Sequence, residues 1–194
     1  MSTVDRFHAL HKSGIFVLPN AWDLGSARIL EQLGFKAIAT TSSGFAWTLG
    51  KRDTHVPLAE TLEHYSAMAA AVSIPINADF EGGYAIDADR VAVNVSAACE
   101  TGIAGLSIED SLKDAEKGLY DFDLAVDRIR AARAAIDASK TGVLLVGRSE
   151  GFIAGRPDLR ETIRRLTAFS EAGADCLYAP GVKSREDIKA IVDA

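Results

Sequence analysis

One feature constrains this chain more than any other. Short apolar runs alternate with amphipathic stretches, six times between Ile15 and Ala194. "IFVLPN" (15–20) precedes "LGSARILEQLGF", where Ser26 is a candidate N-cap and Gly34 a candidate stop. "KAIATTSS" precedes "PLAETLEHYSAMAAAV", which opens on Pro57, a residue suited to the first helical position. "IPINAD" is followed by a helix over about 88–100, "AGLSIED" by "DLAVDRIRAARAAIDAS", "GVLLVGRSE" by "PDLRETIRRLTAFSEAG", and "DCLYAPG" by "SREDIKAIVDA". Strands that are apolar on both faces, with a helix after each, predict a parallel sheet covered by helices.

A doubly wound open sheet or most of a (β/α)₈ barrel could hold six such units. The polar residues favour the barrel. They collect where the strands end: Asn20 and Asp23, then Ser42, Ser43 and Gly44, then Asn77 and Asp79, then Glu109 and Asp110, then Arg148 and Glu150. An open sheet concentrates its chemistry beside one switch point, whereas a barrel brings every strand end to one mouth. No G-x-G-x-x-G follows the first strand, and no G-x-x-x-x-G-K-[ST] occurs. The expected fold is therefore a TIM-type barrel, a single domain over residues 1–194 with about six of eight units. It reads as C-terminally truncated, with open strand edges that predict poor solubility for the 194-residue chain alone.

Composition narrows the function. A net charge of −6 without a basic patch argues against nucleic acid. No apolar run approaches the roughly 20 residues that span a bilayer, and "MSTVDRFHALHKSG" lacks a signal peptide's apolar centre, so a cytoplasmic protein is expected. Cys99 and Cys176 sit in apolar contexts and read as small buried hydrophobes. His8, His11, His55 and His64 have no zinc spacing and read as solvated.

The acids carry the chemistry. Asp53 in the loop after the second strand, Asp79 ending the third and Glu109 ending the fourth make an oxygen-only set suited to Mg²⁺ or Mn²⁺. Arg148, ending the fifth, can take a substrate carboxylate bidentately. Backbone N–H groups near Ser43 and Gly44 can take the other end of a small anion. In "INADFEGGY" the glycines let the chain turn close to the site. Glu81 has two open roles, reaching the waters of an ion or facing solvent.

In this order, "LPNAWDLGSARILEQLGFKAIATTSSG", "INADFEGGY", "GLSIEDS" and "VGRSEGF" resemble the isocitrate lyase/phosphoenolpyruvate mutase superfamily. The resemblance implies an oligomeric (β/α)₈ barrel that binds Mg²⁺ and a small 2-oxo acid, and makes or breaks a C–C or P–C bond beside an enolpyruvate. It implies that Ser43 and Gly44 hold the pyruvyl group and that Asp53 is the loop acid near the metal. Asp79 matches the second acid of a D-x-D pair, Glu109 the strand-four glutamate and Arg148 the strand-five arginine. Asn77 stands where the first acid of that pair is usual. Its amide oxygen can still coordinate, but the site loses a charge. After Glu109 the chain reads "EDSLKDAEKGLYDFD" in place of the lyase motif K-[KR]-C-G-H. Isocitrate and methylisocitrate lyase activities are therefore not expected. Lys113 and Lys117 fall where mutase-type members carry a gating loop. The function expected is a Mg²⁺-dependent lyase, hydrolase or mutase acting through the enolate of pyruvate, on an oxaloacetate- or phosphonopyruvate-like substrate. The alternatives are a metal-dependent pyruvate aldolase, or a protein that binds a 2-oxo acid without turnover.

Overall fold

A computed structural model describes residues 1–112 and 118–194. Six strands form one sheet in sequential order, every neighbouring pair parallel. They are β1 (Asn20–Ala21), β2 (Ile38–Thr40), β3 (Ile76–Asp79), β4 (Gly105–Glu109), β5 (Leu144–Arg148) and β6 (Cys176–Tyr178). A sequential order has no switch point, so the sheet is the arc of a barrel rather than a doubly wound sheet.

The helices are α1 (Thr3–His11), α2 (Leu24–Gln32), α3 (Ser42–Thr48), α4 (Leu58–Ala71), α5 (Ala88–Cys99), α6 (Phe122–Ser139), α7 (Leu159–Glu171) and α8 (Arg185–Asp193). Side-chain oxygens start several of them: Asp87 caps α5, Asp158 caps α7 and Ser184 caps α8. The cap of α2 differs from the sequence expectation. Asp23 is the N-cap, and Ser26 is its reciprocal partner three residues on, with the Ser26 N–H 2.7 Å from Asp23 Oδ1. Either residue can cap, but only Asp23 lies where the backbone is still extended. Pro57 similarly sits at the N-cap of α4, one residue before the helix proper.

The first strand is shorter than "IFVLPN" suggests. Only Asn20–Ala21 pairs with β2, because Pro19 has no N–H to give the ladder. The preceding residues still alternate: Ile15 and Val17 point to solvent, while Phe16 and Leu18 pack on Phe7, Leu144 and Val146. Phe7 belongs to α1, which the sequence reading did not identify. Ser2 and Asp5 cap that helix reciprocally, and its buried Phe7 joins Ala37, Ala104 and Leu144 beneath the sheet.

The main core lies between β3, β4 and β5 and the helices α5, α6 and α7. It includes Phe80, Val95, Leu106, Ile108, Ile129, Leu145 and Phe169. Burying such side chains fully stabilises the fold by roughly 1.5–3 kcal/mol each. Cys99 lies in this core as expected, whereas Cys176 is half-buried. The histidines are less solvated than the sequence implied. His11 packs edge-on against Phe7 and Phe16, His8 bonds the Gly142 carbonyl, and His64 stacks on Phe45 at 3.7 Å. Burial holds the His64 imidazole down at about 4, despite Asp23 nearby. Only His55 matches the expectation of an exposed side chain.

Among the described residues, no helix is long and apolar enough to cross a membrane.

Candidate active site

Parallel register decides which polar side chains meet. β4 and β5 pair Glu109 with Arg148, and β3 and β4 pair Asp79 with Ser107. The last residues of three adjacent strands therefore present Asp79, Glu109 and Arg148 to one cavity of about 690 Å³. The Arg148 guanidinium is the hub. Nη1 lies 3.4 Å from Asp79 Oδ1, Nη2 lies 3.7 Å from Glu109 Oε2, and Nε donates to Glu150 Oε1. The Tyr178 ring of β6 lies beside it, 5.4 Å from Cζ.

Three carboxylates thus surround one cation, with little solvent to screen them. Burial raises the Glu109 carboxyl to about 7; Arg148 opposes this, and Glu150 and Asp79 add to it. Burial likewise raises Glu150 against the pull of Arg148. Burial alone would lower Arg148, but the three acids more than reverse this and hold the guanidinium above its usual value.

Each acid has a fixed orientation. The Ser42 N–H and Oγ both donate to Asp79 Oδ2 at 2.9 Å, and Thr40 Oγ1 accepts from the Asp79 N–H. Ser111 Oγ donates to Glu109 Oε1 at 2.7 Å. The turn after β3 has left-handed backbone at Glu81 (φ 46°), Gly83 (φ 70°) and Tyr84 (φ 56°). Such strain outside glycine persists only where the surroundings hold it. Here the Tyr84 hydroxyl donates to Glu81 Oε1 at 2.9 Å, and Arg128 donates to the Gly82, Ala85 and Ile86 carbonyls. Glu81 is therefore buried and does not face solvent.

The other expected site residues are less alike. Ser43 lines the cavity. Gly44 is not among the lining residues. It is buried, its N–H is turned to Thr41 Oγ1, and a Cβ there would come within 2.8 Å of the Trp22 ring. The glycine serves packing. Asp53 lines the same cavity but is exposed, and its carboxylate accepts the Thr54 N–H rather than joining the acids at Arg148. Asn77 lies two residues down β3 from Asp79, about 6.6 Å deeper. Its Oδ1 is buried over Gly105, without a hydrogen-bond partner. Lys113 and Lys117 lie outside the described residues. Sequence reasoning placed Glu150 and Ser42 at strand ends but gave them no role. Their spacing from Arg148 and from "TTSS" was the available signal.

Among the described residues, no three His, Cys, Asp or Glu side chains are arranged to hold a metal ion. The donor set still suits a hard divalent cation bound by one or two carboxylates and water. It is all oxygen, it carries more negative than positive charge, and it keeps a buried amide oxygen unsatisfied at Asn77.

A parallel α/β arc with acids and an arginine converging at its strand ends has the layout of a barrel enzyme. The family model for phosphoenolpyruvate phosphomutase matches residues 7–194, so the chain belongs to the phosphoenolpyruvate mutase/isocitrate lyase superfamily. A crystal structure of a protein assigned as a lyase/mutase from Burkholderia cenocepacia J2315 is similar over 98% of this chain and 69% of its own, with a TM-score of 0.94 and 40% identity. An oxaloacetate decarboxylase of Paraburkholderia xenovorans is 31% identical over 95% of this chain and 63% of its own length. Phosphonopyruvate hydrolase, crystallised with oxalate and Mg²⁺, is 27% identical with a TM-score of 0.90, over 100% of this chain and 68% of its own. The chain thus spans under two thirds of the decarboxylase.

Proposed function

We propose that this chain carries the site of a Mg²⁺- or Mn²⁺-dependent enzyme that cleaves or forms a C–C or P–C bond in a small 2-oxo acid. The observation that carries this reading is the convergence of Asp79, Glu109 and Glu150 on one guanidinium. The relatives lend it a chemistry, since oxaloacetate decarboxylation and phosphonopyruvate hydrolysis both release the carbon skeleton of pyruvate.

Asp79 and Glu109 are the proposed direct or water-mediated ligands, with Asn77 Oδ1 below and Asp53 from the loop above. A bound divalent cation would supply charge neutralisation for an oxyanion developing on the substrate. The chain's own residues do the rest. The contacts of Arg148 through Nη1 and Nη2 are long, at 3.4 and 3.7 Å. These two nitrogens can therefore turn from Asp79 and Glu109 to a substrate carboxylate or phosphonate, while Nε stays on Glu150. Ser42 keeps the Asp79 carboxylate from rotating. Ser43, on the cavity wall, offers its hydroxyl to the opposite end of the anion.

The test is a turnover assay of oxaloacetate and phosphonopyruvate with pyruvate detection, in excess Mg²⁺ and in excess chelator. Pyruvate formed only with the metal supports the reading. Metal-independent turnover, or binding without product in saturating Mg²⁺, would overturn it.

A further inference from the structure

The ladder between β4 and β5 ends at the pair Glu109 and Arg148. One more backbone bond follows, from the Asp110 N–H to the Arg148 carbonyl at 3.1 Å. Beyond it a side chain takes the place of the ladder. Asp110 Oδ1 accepts the Glu150 N–H at 2.8 Å, and Oδ2 accepts the Ser149 hydroxyl at 3.2 Å. Both residues of the turn that follows Arg148 are thus tied to one carboxylate.

That carboxylate is 1% exposed. Its charge is met by Arg165 of α7, with Nη1 3.2 Å from Oδ2, and Arg165 Nε is held by Glu161 at 2.8 Å. A buried ion pair is weak evidence for stability, because desolvation offsets most of the attraction. Stability alone therefore accounts poorly for a carboxylate in this place. Its two other bonds have a direct geometric consequence. They fix the backbone from which Glu150 reaches back to Arg148 Nε. With Nε held, the guanidinium plane is set, and Nη1 and Nη2 face the cavity.

We propose that Asp110 is a positioning residue that aims Arg148 at the substrate anion, acting through the Ser149–Glu150 turn. This rests on the reading of Arg148 as the anion-holding group, so the experiment has one arm that needs no ligand.

Two double variants isolate the hydrogen bonds from the charge. D110N/R165M keeps an oxygen for the Glu150 N–H and an amide for Ser149, with no buried charge. D110L/R165M is also neutral and of similar volume but accepts nothing. In the first arm, the Arg148 Nε–H resonance is followed by NMR and assigned with Arg148→Lys. It should persist in D110N/R165M and vanish or broaden in D110L/R165M. In the second arm, oxalate is titrated calorimetrically in saturating Mg²⁺. Its affinity should stay within about threefold in the first variant and fall about tenfold or more in the second. If the leucine variant does not fold, Ser149→Ala removes one of the two bonds without stranding a charge and should give a partial loss in both arms. Equal behaviour of the two double variants, or an unchanged Ser149→Ala, overturns the proposal. A resonance that follows the acceptors while the unaltered protein ignores oxalate leaves the positioning role standing and overturns the functional reading.

Discussion

The centre and the edge of the sheet are built from similar sequences and end in different states. In β4, "GLSIE", every residue but Glu109 is buried; in β6, "CLY", none is. Ile108 is 1% exposed and Leu177 is 39% exposed. Both strands read as apolar runs, but β4 has a paired strand on each side and helices α5 and α6 over it. β6 pairs only with β5 among the described residues, and α8 beyond it buries no residue completely. The site follows the same division. Asp79, Glu109 and Arg148 come from β3, β4 and β5, where both neighbours fix the strand end. The edge strands contribute only wall: Asn20 from β1, and Cys176, Leu177 and Tyr178 from β6. Charges are held in geometry where the backbone beneath them is most constrained.

The largest effect should come from truncating the two strands alike. Ile108→Ala opens a cavity in the central core and should cost about 2–5 kcal/mol. Leu177→Ala removes a side chain already partly in water and should cost under about 1 kcal/mol. Denaturant unfolding of both variants checks this. Equal losses would mean that β6 is covered in solution by something absent from these contacts.

At the site the same division predicts that central charges outweigh edge groups. Asp79→Ala and Arg148→Ala should each lower turnover, or Mg²⁺-dependent oxalate affinity, at least ~10²-fold, or about 2.7 kcal/mol. Tyr178→Leu, at the edge, should cost less than tenfold, since its ring lies 5.4 Å from the guanidinium and is half in solvent. Activity and calorimetry on the three proteins decide. An Asp79→Ala protein with unaltered turnover would remove the acids from the mechanism.

Much of this was legible in the sequence, for physical reasons that can be named. Strands buried on both faces are mostly apolar, so β3, β4 and β5 announce themselves, and the charged residue that ends each marks the barrel mouth. That is why Asp79, Glu109 and Arg148 stand out in the sequence. What failed to show was whatever depends on contacts across the chain. The room that the missing side chain of Gly44 leaves for Trp22 could not be read from the chain alone. His64 looked solvated because a helix residue's neighbours are not its sequence neighbours; Phe45 covers it. Asp110 followed Glu109 without distinction until the fold brought Ser149, Glu150 and Arg165 around it. Helix α1 was hidden by a polar surface, although Ser2, Asp5 and Phe7 carry its cap and its anchor.

A third prediction concerns pH. The folded protein holds Glu109 at about 7, above its ordinary 4.5, because burial disfavours the charge. A raised carboxyl contributes stability that is complete below about pH 4.5 and is lost as pH rises towards 7. In excess chelator, unfolding free energy should therefore fall across that window, by about 1–2 kcal/mol, since neighbouring acids share the titration. Glu109→Gln should flatten this limb. His64 acts in the opposite sense. Its depressed value of about 4 makes stability fall as pH drops from 6.5, so His64→Phe should flatten the acid side. Parallel pH curves for the unaltered protein and Glu109→Gln would mean that Glu109 is not the group held neutral.

The smallest effect should come from the rung beneath the acids. Asn77 Oδ1 is buried, unpaired and about 6.6 Å below Asp79 along the strand. Asn77→Asp adds a negative charge there. Without metal, the new carboxylate is buried below Asp79 with no donor of its own, so the melting temperature should drop. With Mg²⁺ the same charge acts attractively. Most of that attraction is offset by the cost of burying the new charge, so Mg²⁺ should bind up to about tenfold tighter. The two effects have opposite signs, which separates them from simple damage. The Mg²⁺-induced rise in melting temperature should be larger in Asn77→Asp than in the unaltered protein. A lower melting temperature that Mg²⁺ does not restore, with unchanged Mg²⁺ affinity, would place the ion away from β3 and assign Asn77 to the barrel interior alone.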